Sequence, residues 1–352
     1  MNENSENNFP SSPVTDIAYY QKILLPKLPK HIFKPYKADL GLFIFFYLVS
    51  IVIIYLNLTV QLDLIFQLIS GLILGILAGS ISHITHNLLH GSIISNKKLQ
   101  TFFAFWGFLP HWLSPTFYRY WHNYLHHTFT QKHITDPDAY PSQFLFENSP
   151  FFKMIYAGLP GSKKFASYFY FFHSFTSHSQ LNQCIQRFKL KKQYKKLNQN
   201  AVNRELFLQA TVLIPLVIML AKVNFIFLVV LPFSICNYMI MSYIATNHAM
   251  TPLTDVNDPL KNTLSLTSNR ISDFFCRYMA YHVSHHLYPH VNPRYYPMID
   301  KILLETFPEK YKCLPKWEAI KLLYSTPRIY KDENTVYYPD NKSQEVDLTN
   351  LL

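Results

Sequence analysis

The sequence predicts an all-α membrane protein: two transmembrane helical hairpins, four spans in all, with a cytosolic helical cap carrying a di-metal histidine cluster. Three observations predict it. Four apolar stretches, at about 40–58, 62–82, 206–221 and 224–246, reach or approach the roughly 20 residues a helix needs to cross a bilayer. Of the 32 Lys and Arg residues, 31 lie outside the two short turns joining these stretches, Lys222 being the exception. That bias marks the outer segments as cytosolic. Half of the 16 histidines fall into three tight groups, all on that same side.

Composition agrees with a membrane protein. Charged residues make up only 15% of the chain, beside 29 Phe and 25 Tyr; that is low charge for a soluble domain. The net charge of +11 is spread through loops, with no basic stripe interleaved with aromatics, so no nucleic-acid partner is expected. An anionic membrane surface accounts for it better. The four cysteines, Cys184, Cys236, Cys276 and Cys313, form no CxxC pair and read as reduced thiols.

Along the chain, residues 1–16 are polar and read as a disordered tail without a signal peptide. A single domain follows over 17–325. Its first two spans turn around Val60–Gln61 and the second pair around Lys222–Val223, so both hairpins open toward one side. Pro215 and Pro232 fall inside the second pair, which membrane helices tolerate. Between the hairpins, 101–117 is apolar but broken by Pro110, His111 and Pro115, and reads as a re-entrant or interfacial segment. Residues 165–175 are aromatic, suited to the headgroup level, and 187–196 is basic. Residues 326–352 read as an irregular tail.

The histidine groups carry the chemistry. His86 and His90 stand four apart just past the second span. His122, His126 and His127 form HxxxHH, and His282, His285 and His286 form HxxHH. On a helix, positions i, i+3 and i+4 share a face, so each group aims several imidazoles at one place. One such pair is more often a satisfied polar face than a ligand set. Three groups on one side argue for metal, and eight imidazoles exceed the four ligands of a tetrahedral zinc site. Imidazole suits iron, zinc, copper and nickel, so the ligands alone do not name the ion. A zinc hydrolase would want a general base, yet His86-Asn87-Leu88-Leu89-His90 lacks the Glu of HExxH. A membrane metal transporter would place ligands within its spans. Oxidative chemistry with redox-active iron remains, on an apolar substrate delivered from the membrane.

These motifs resemble those of the membrane fatty acid desaturase superfamily, which also includes membrane hydroxylases and carotenoid ketolases. Its three histidine boxes match 86–90, 122–127 and 282–286, and Thr135-Asp136-Pro137-Asp138 and Leu287-Tyr288-Pro289-His290 resemble the turns that follow the second and third boxes. The resemblance covers about 40–297. It implies an O2-dependent enzyme with two Fe(II) ions held by the eight box histidines, His248 being a further ligand beyond the fourth span. It also implies that Asn247 holds a metal-bound water and that Asp136 and Asp138 orient histidines. His83 lies on nearly the same helical face as His86 and could substitute for a ligand. Asn87 stands where the family commonly has an acidic residue, so a contact to the first box is expected to be missing.

The implied reaction is acyl-lipid desaturation, the alternatives being hydroxylation and carotenoid ketolation. A separate ferredoxin or cytochrome b5 type donor would supply electrons. A tunnel between the hairpins is expected, walled near Phe102–Phe108 and Phe274–Tyr281. The remaining histidines read as structural, with His111 and His133 lining the site, His290 behind it, and His31, His173 and His178 at the interface. A bacterial inner membrane and the endoplasmic reticulum fit equally well, with both termini cytosolic.

Overall fold

A computed structural model describes residues 16–351; apart from Asp16, the tail expected over 1–16 lies outside them. Ala38–Thr59 (α1) is apolar on nearly every side and ends where Val60 turns extended. Asp63 then starts Leu64–Leu89 (α2), its carboxylate accepting the backbone N–H groups of Ile65 and Phe66 at 3.0 Å each, as an N-cap should. The two helices pack together, and the Asn57 amide donates to Ser70 Oγ at 2.9 Å in the buried seam.

The second helix runs past residue 82, where the span was expected to end. Ser80, Ser82 and Thr85 return their hydroxyls to the carbonyls of Ile76, Ala78 and Ile81, so polar residues are carried without breaking the ladder. His86 therefore sits in the last turn of α2, and His90 caps its C-terminus. Next, Lys97–Gly107 (α3), capped by Asn96, packs on α2. Gly107 allows this approach, since a Cβ there would collide with the Thr85 hydroxyl.

Tyr170–Leu181 (α4) precedes the longest apolar run, Gln199–His248. That run is interrupted at Asn224, whose φ of −161° and ψ of 103° leave the helical region. It divides into Gln199–Phe225 (α5), a π-helical turn Ile226–Val230, and Leu231–His248 (α6). Asn224 Oδ1 accepts Phe227 N–H at 3.0 Å, and its amide donates to Gln67 Oε1 at 2.7 Å, beside the start of α2. The other end of α5 lies by α3, where Gln209 donates to the Phe105 carbonyl. The chain thus reverses at Asn224, and α6 runs parallel to α2. Gly71 and Gly75 face Phe227 and Ile235 so closely that a Cβ would clash; small residues permit this approach between apolar helices.

Among the described residues, three helical runs are long and apolar enough to cross a membrane: Ala38–Thr59, Leu64–Leu89 and the interrupted Gln199–His248. Their outward faces expose Phe45, Ile51, Tyr55, Ile65, Phe66, Phe207 and Ile214. Such surface is suited to lipid rather than water, and the protein is membrane-associated.

The fold is mostly helical rather than all-α. Beyond α6, Ser265–Thr267 (β1) pairs in parallel with Cys313–Pro315 (β2), and His282–Leu287 (α7) and Tyr296–Thr306 (α8) lie between them in sequence. The stretch 326–352, expected to be irregular, contains an antiparallel meander of Ile329–Tyr330 (β3), Thr335–Tyr338 (β4) and Asn341–Asp347 (β5). Asp332 closes its first turn by accepting Asn334 and Thr335 N–H, and Val336, Tyr337 and Tyr338 bury themselves against the rest of the chain.

Candidate metal centre

The parallel run of α2 and α6 brings His86 and His248 to the same end of the helix pair. The second histidine group does not lie on an α-helix as expected. Arg119–His126 is a π-helix, whose i→i+5 ladder widens each turn. It lets His122 meet His127, five residues on, with their Nε2 atoms 3.2 Å apart, while the His126 ring stacks on that of His122 at 5.2 Å. The third group sits on α7, so His282 and His286 share a face at 3.2 Å.

Nine imidazoles meet in two adjoining sets. His86, His90, His122, His127 and His285 form one. Its Nε2 atoms lie 2.9 Å (His86 to His122), 3.2 Å (His90 to His86) and 3.1 Å (His285 to His127) apart. His126, His248 and His286 form the other, and His282 joins it, its Nε2 2.7 Å from that of His248. The sets touch where the His127 and His286 rings stack at 4.4 Å. Ligand nitrogens at right angles, each roughly 2.1 Å from one ion, stand about 3 Å apart. These spacings fit that geometry. The clusters fit metal sites.

Several of the ring nitrogens on the far side are held, while His282 Nδ1 has no partner among the described residues. Asp136 accepts His126 Nδ1–H at 3.0 Å, and Asp138 lies 3.4 Å from the same nitrogen. The Asn262 carbonyl takes His248 Nδ1–H at 3.3 Å, Tyr296 Oη takes that of His285 at 3.3 Å, and Thr130 Oγ1 that of His286 at 3.3 Å. Such partners fix the tautomer that leaves Nε2 free for an ion. Asn87 Oδ1 also accepts His86 Nδ1–H at 3.1 Å. The contact expected to be missing from the first box is thus present, because an amide oxygen accepts as a carboxylate does.

Burial, reinforced by neighbouring imidazoles, holds His90, His122, His127, His282, His285 and His286 well below the usual histidine range. They stay neutral, as ligation requires. His126 is the exception. Burial opposes its charge, but the carboxylates of Asp136 and Asp138 outweigh that and raise it to about 9.

Other expected residues fall differently. His83 leans toward the Met239 carbonyl at 3.3 Å and joins neither set. Asn247 is buried, its amide donating to the Met279 carbonyl at 3.2 Å, and its Oδ1 has no partner. His111 bonds Ser82 and Thr176 away from the sets. His178, read as interfacial, instead contacts Asp138 Oδ1 at 2.9 Å, with Trp121 Nε1 donating to the same oxygen at 3.1 Å. Nothing local in Tyr170–Leu181 signals that contact, which spans 40 residues.

Compared with known protein families, residues 64–316 match the fatty acid desaturase family. The chain belongs to the fatty acid desaturase family. No curated protein matches it. Membership makes it an oxidoreductase of a family that holds metal in histidine boxes, and its apolar helices suit a lipid substrate.

In this desaturase-family chain a mostly apolar cavity of about 540 Å³ reaches His86, His122, His126, His248 and His282. That size suits a small-molecule or acyl ligand. It is walled by Phe108, Tyr118, Phe175, Ile240 and Met241, and by the 133–159 segment. Of the stretches expected to wall it, only Phe108 and Met279 do so; helix α4 supplies the opposite wall. His173 and Ser177, exposed on α4, also line it, so it opens beside that helix.

Proposed function

We propose that this chain is a multi-pass membrane desaturase that removes two hydrogens from an acyl chain of a lipid. The observation that carries the reading is the apolar cavity ending on two adjoining all-imidazole sets. His86, His90, His122, His127 and His285 would hold one iron(II), and His126, His248, His282 and His286 the other. When bound, the irons would supply the redox chemistry that lets O2 accept hydrogen from an unactivated C–H bond.

The balance is one CH2–CH2 unit, one O2, two electrons and two protons giving CH=CH and two waters. The electrons come from a separate donor of ferredoxin or cytochrome b5 type. The chain's own part is to position and exclude. Phe108, Phe175, Ile240 and Met241 keep the cavity dry and lay a methylene against the imidazoles. Asp136, Asn87, Tyr296 and Thr130 keep Nδ1 of His126, His86, His285 and His286 protonated, so their Nε2 atoms stay lone-pair donors.

The reversal at Asn224, together with the one-sided Lys and Arg distribution, supports four crossings, with the histidine sets and both termini cytosolic. The test is a mass-spectrometric lipid profile of cells expressing the chain against His282→Ala. Loss of two hydrogens from a defined acyl chain in the wild type alone is expected. A gain of one oxygen would make the enzyme a hydroxylase, and ester cleavage in a zinc-only preparation would overturn the oxidative reading.

A further inference from the structure

The family match ends at residue 316, yet the segment 326–333 is bound to the turn that follows His248 of the second histidine set. Helix α6 ends at His248, and the last carbonyls of a helix have no partner within it. Four side chains supply donors, the Thr251 hydroxyl among them, which donates to the His248 carbonyl at 2.7 Å. Gln131 Nε2 donates to the His248 carbonyl at 2.6 Å and to that of Thr251 at 3.1 Å. Tyr330 Oη donates to the Thr251 carbonyl at 2.6 Å. Arg328, 1% exposed, donates to the Ala249 carbonyl.

Arg328's other partners are the Leu323 and Thr326 carbonyls and the Thr326 hydroxyl, with no carboxylate among them. A buried guanidinium held by carbonyls and one hydroxyl is costly to desolvate, and a cation at a helix C-terminus is favourable. The backbone fastens the same region twice more. Leu253 N–H donates to the Glu333 carbonyl at 2.8 Å, and Tyr330 N–H to the Pro141 carbonyl at 3.1 Å. Gln131 completes the tie, since its own N–H donates to Asp136 Oδ2 at 2.8 Å, the carboxylate that holds His126.

We propose that Arg328 and Tyr330 are positioning residues for the metal site built on His126 and His248, so that the C-terminal segment 326–333 acts as a strap that sets the affinity of that one site. Neither residue touches the first set. Loss of the strap therefore acts selectively, loosening the turn 248–251 and letting His248 swing without disturbing His86, His90, His122, His127 and His285. This rests on the two-ion reading above.

The test uses the full chain in detergent, stripped with chelator and titrated with Co(II) as an optical probe, with bound metal counted after dialysis. Arg328→Ala is expected to weaken one of two sites by about tenfold or more, as outer partners of ligands do, and Tyr330→Phe to weaken the same site less. Arg328→Lys, which can still reach one carbonyl, should restore part of the loss. Arg187→Ala is the control for a lost buried arginine, because Arg187 bonds Gln199 and Asn203, away from both sets.

Two unchanged sites in both Arg328→Ala and Tyr330→Phe would overturn the strap, as would an equal weakening of both sites. If Arg328→Ala fails to fold, Tyr330→Phe removes one hydroxyl and still decides. A wild-type chain that binds no ion at either set defeats the two-ion reading instead. Hydrogen exchange across 245–254 then tests the strap alone: faster exchange in Arg328→Ala supports it, and unchanged exchange refutes it.

Discussion

Asp136 accepts the Nδ1 proton of His126 at 3.0 Å with one oxygen and the backbone N–H of Gln131 at 2.8 Å with the other. One carboxylate thus holds an imidazole and the start of the loop that reaches His248. Asp136→Ala should lower metal affinity at the His126 set by about 10- to 100-fold, with helix content retained. Asp136→Asn, which keeps an acceptor oxygen, should lose less. Metal content after dialysis separates the two.

Asn87→Ala should weaken the five-histidine set, because it removes the acceptor that holds His86 Nδ1. Asn87→Asp should leave binding at least as tight as in the wild type. Equal affinity in all three chains would mean that His86 is oriented by packing alone.

The sequence showed where these sets would form better than how. The apolar runs and the i, i+4 spacing of His86 with His90 are local signals, and they point to the right ends of the right helices. The π-helix was not legible, because nothing in Arg-Tyr-Trp-His-Asn-Tyr-Leu-His separates an i→i+5 ladder from an i→i+4 one. Nor was the tie between His178 and Asp138, which is made only when α4 packs beside the cavity. The short strands of the tail escaped for a similar reason: two residues in β3 carry no periodicity, and their partners lie in the folded chain. Asn87 misled because its residue type was weighed and its acceptor oxygen was not.

Stability should show a titration near Asp300. Its carboxyl is buried beneath α7, accepts from Ser284 and Tyr311, and is pushed up by burial from 3.8 to about 6. A carboxyl raised on folding stabilises most when protonated, below about pH 4, and that contribution is lost as pH rises through about 6. Between these limits the wild type should lose roughly 3 kcal/mol at most, while Asp300→Asn shows no such slope. Denaturant unfolding in detergent at several pH values measures it.

Gly75→Val should separate α2 from α6, since a Cβ at Gly75 already lies 2.7 Å from Ile235 Cβ. Overpacking of this kind typically costs about 1–3 kcal/mol. The larger consequence is at the far end, where His86 and His248 would lose their shared level. Thermal unfolding should shift down, and both sites should bind metal less tightly.

Ser177→Trp should narrow the opening beside α4. Turnover on long acyl chains should fall severalfold while metal content stays at the wild-type value. Unchanged turnover would place the working mouth elsewhere on the cavity.

The nine imidazoles run from His86 to His286, and the segment that braces the second set arrives only with Arg328 and Tyr330. A ribosome making this chain has released its first ligands long before it has made the last. Neither set is complete until His285 and His286 have been made, so both assemble late on the growing polypeptide. Until then the early helices must wait in the bilayer with their histidines unpaired, and closing so long a loop comes late in folding.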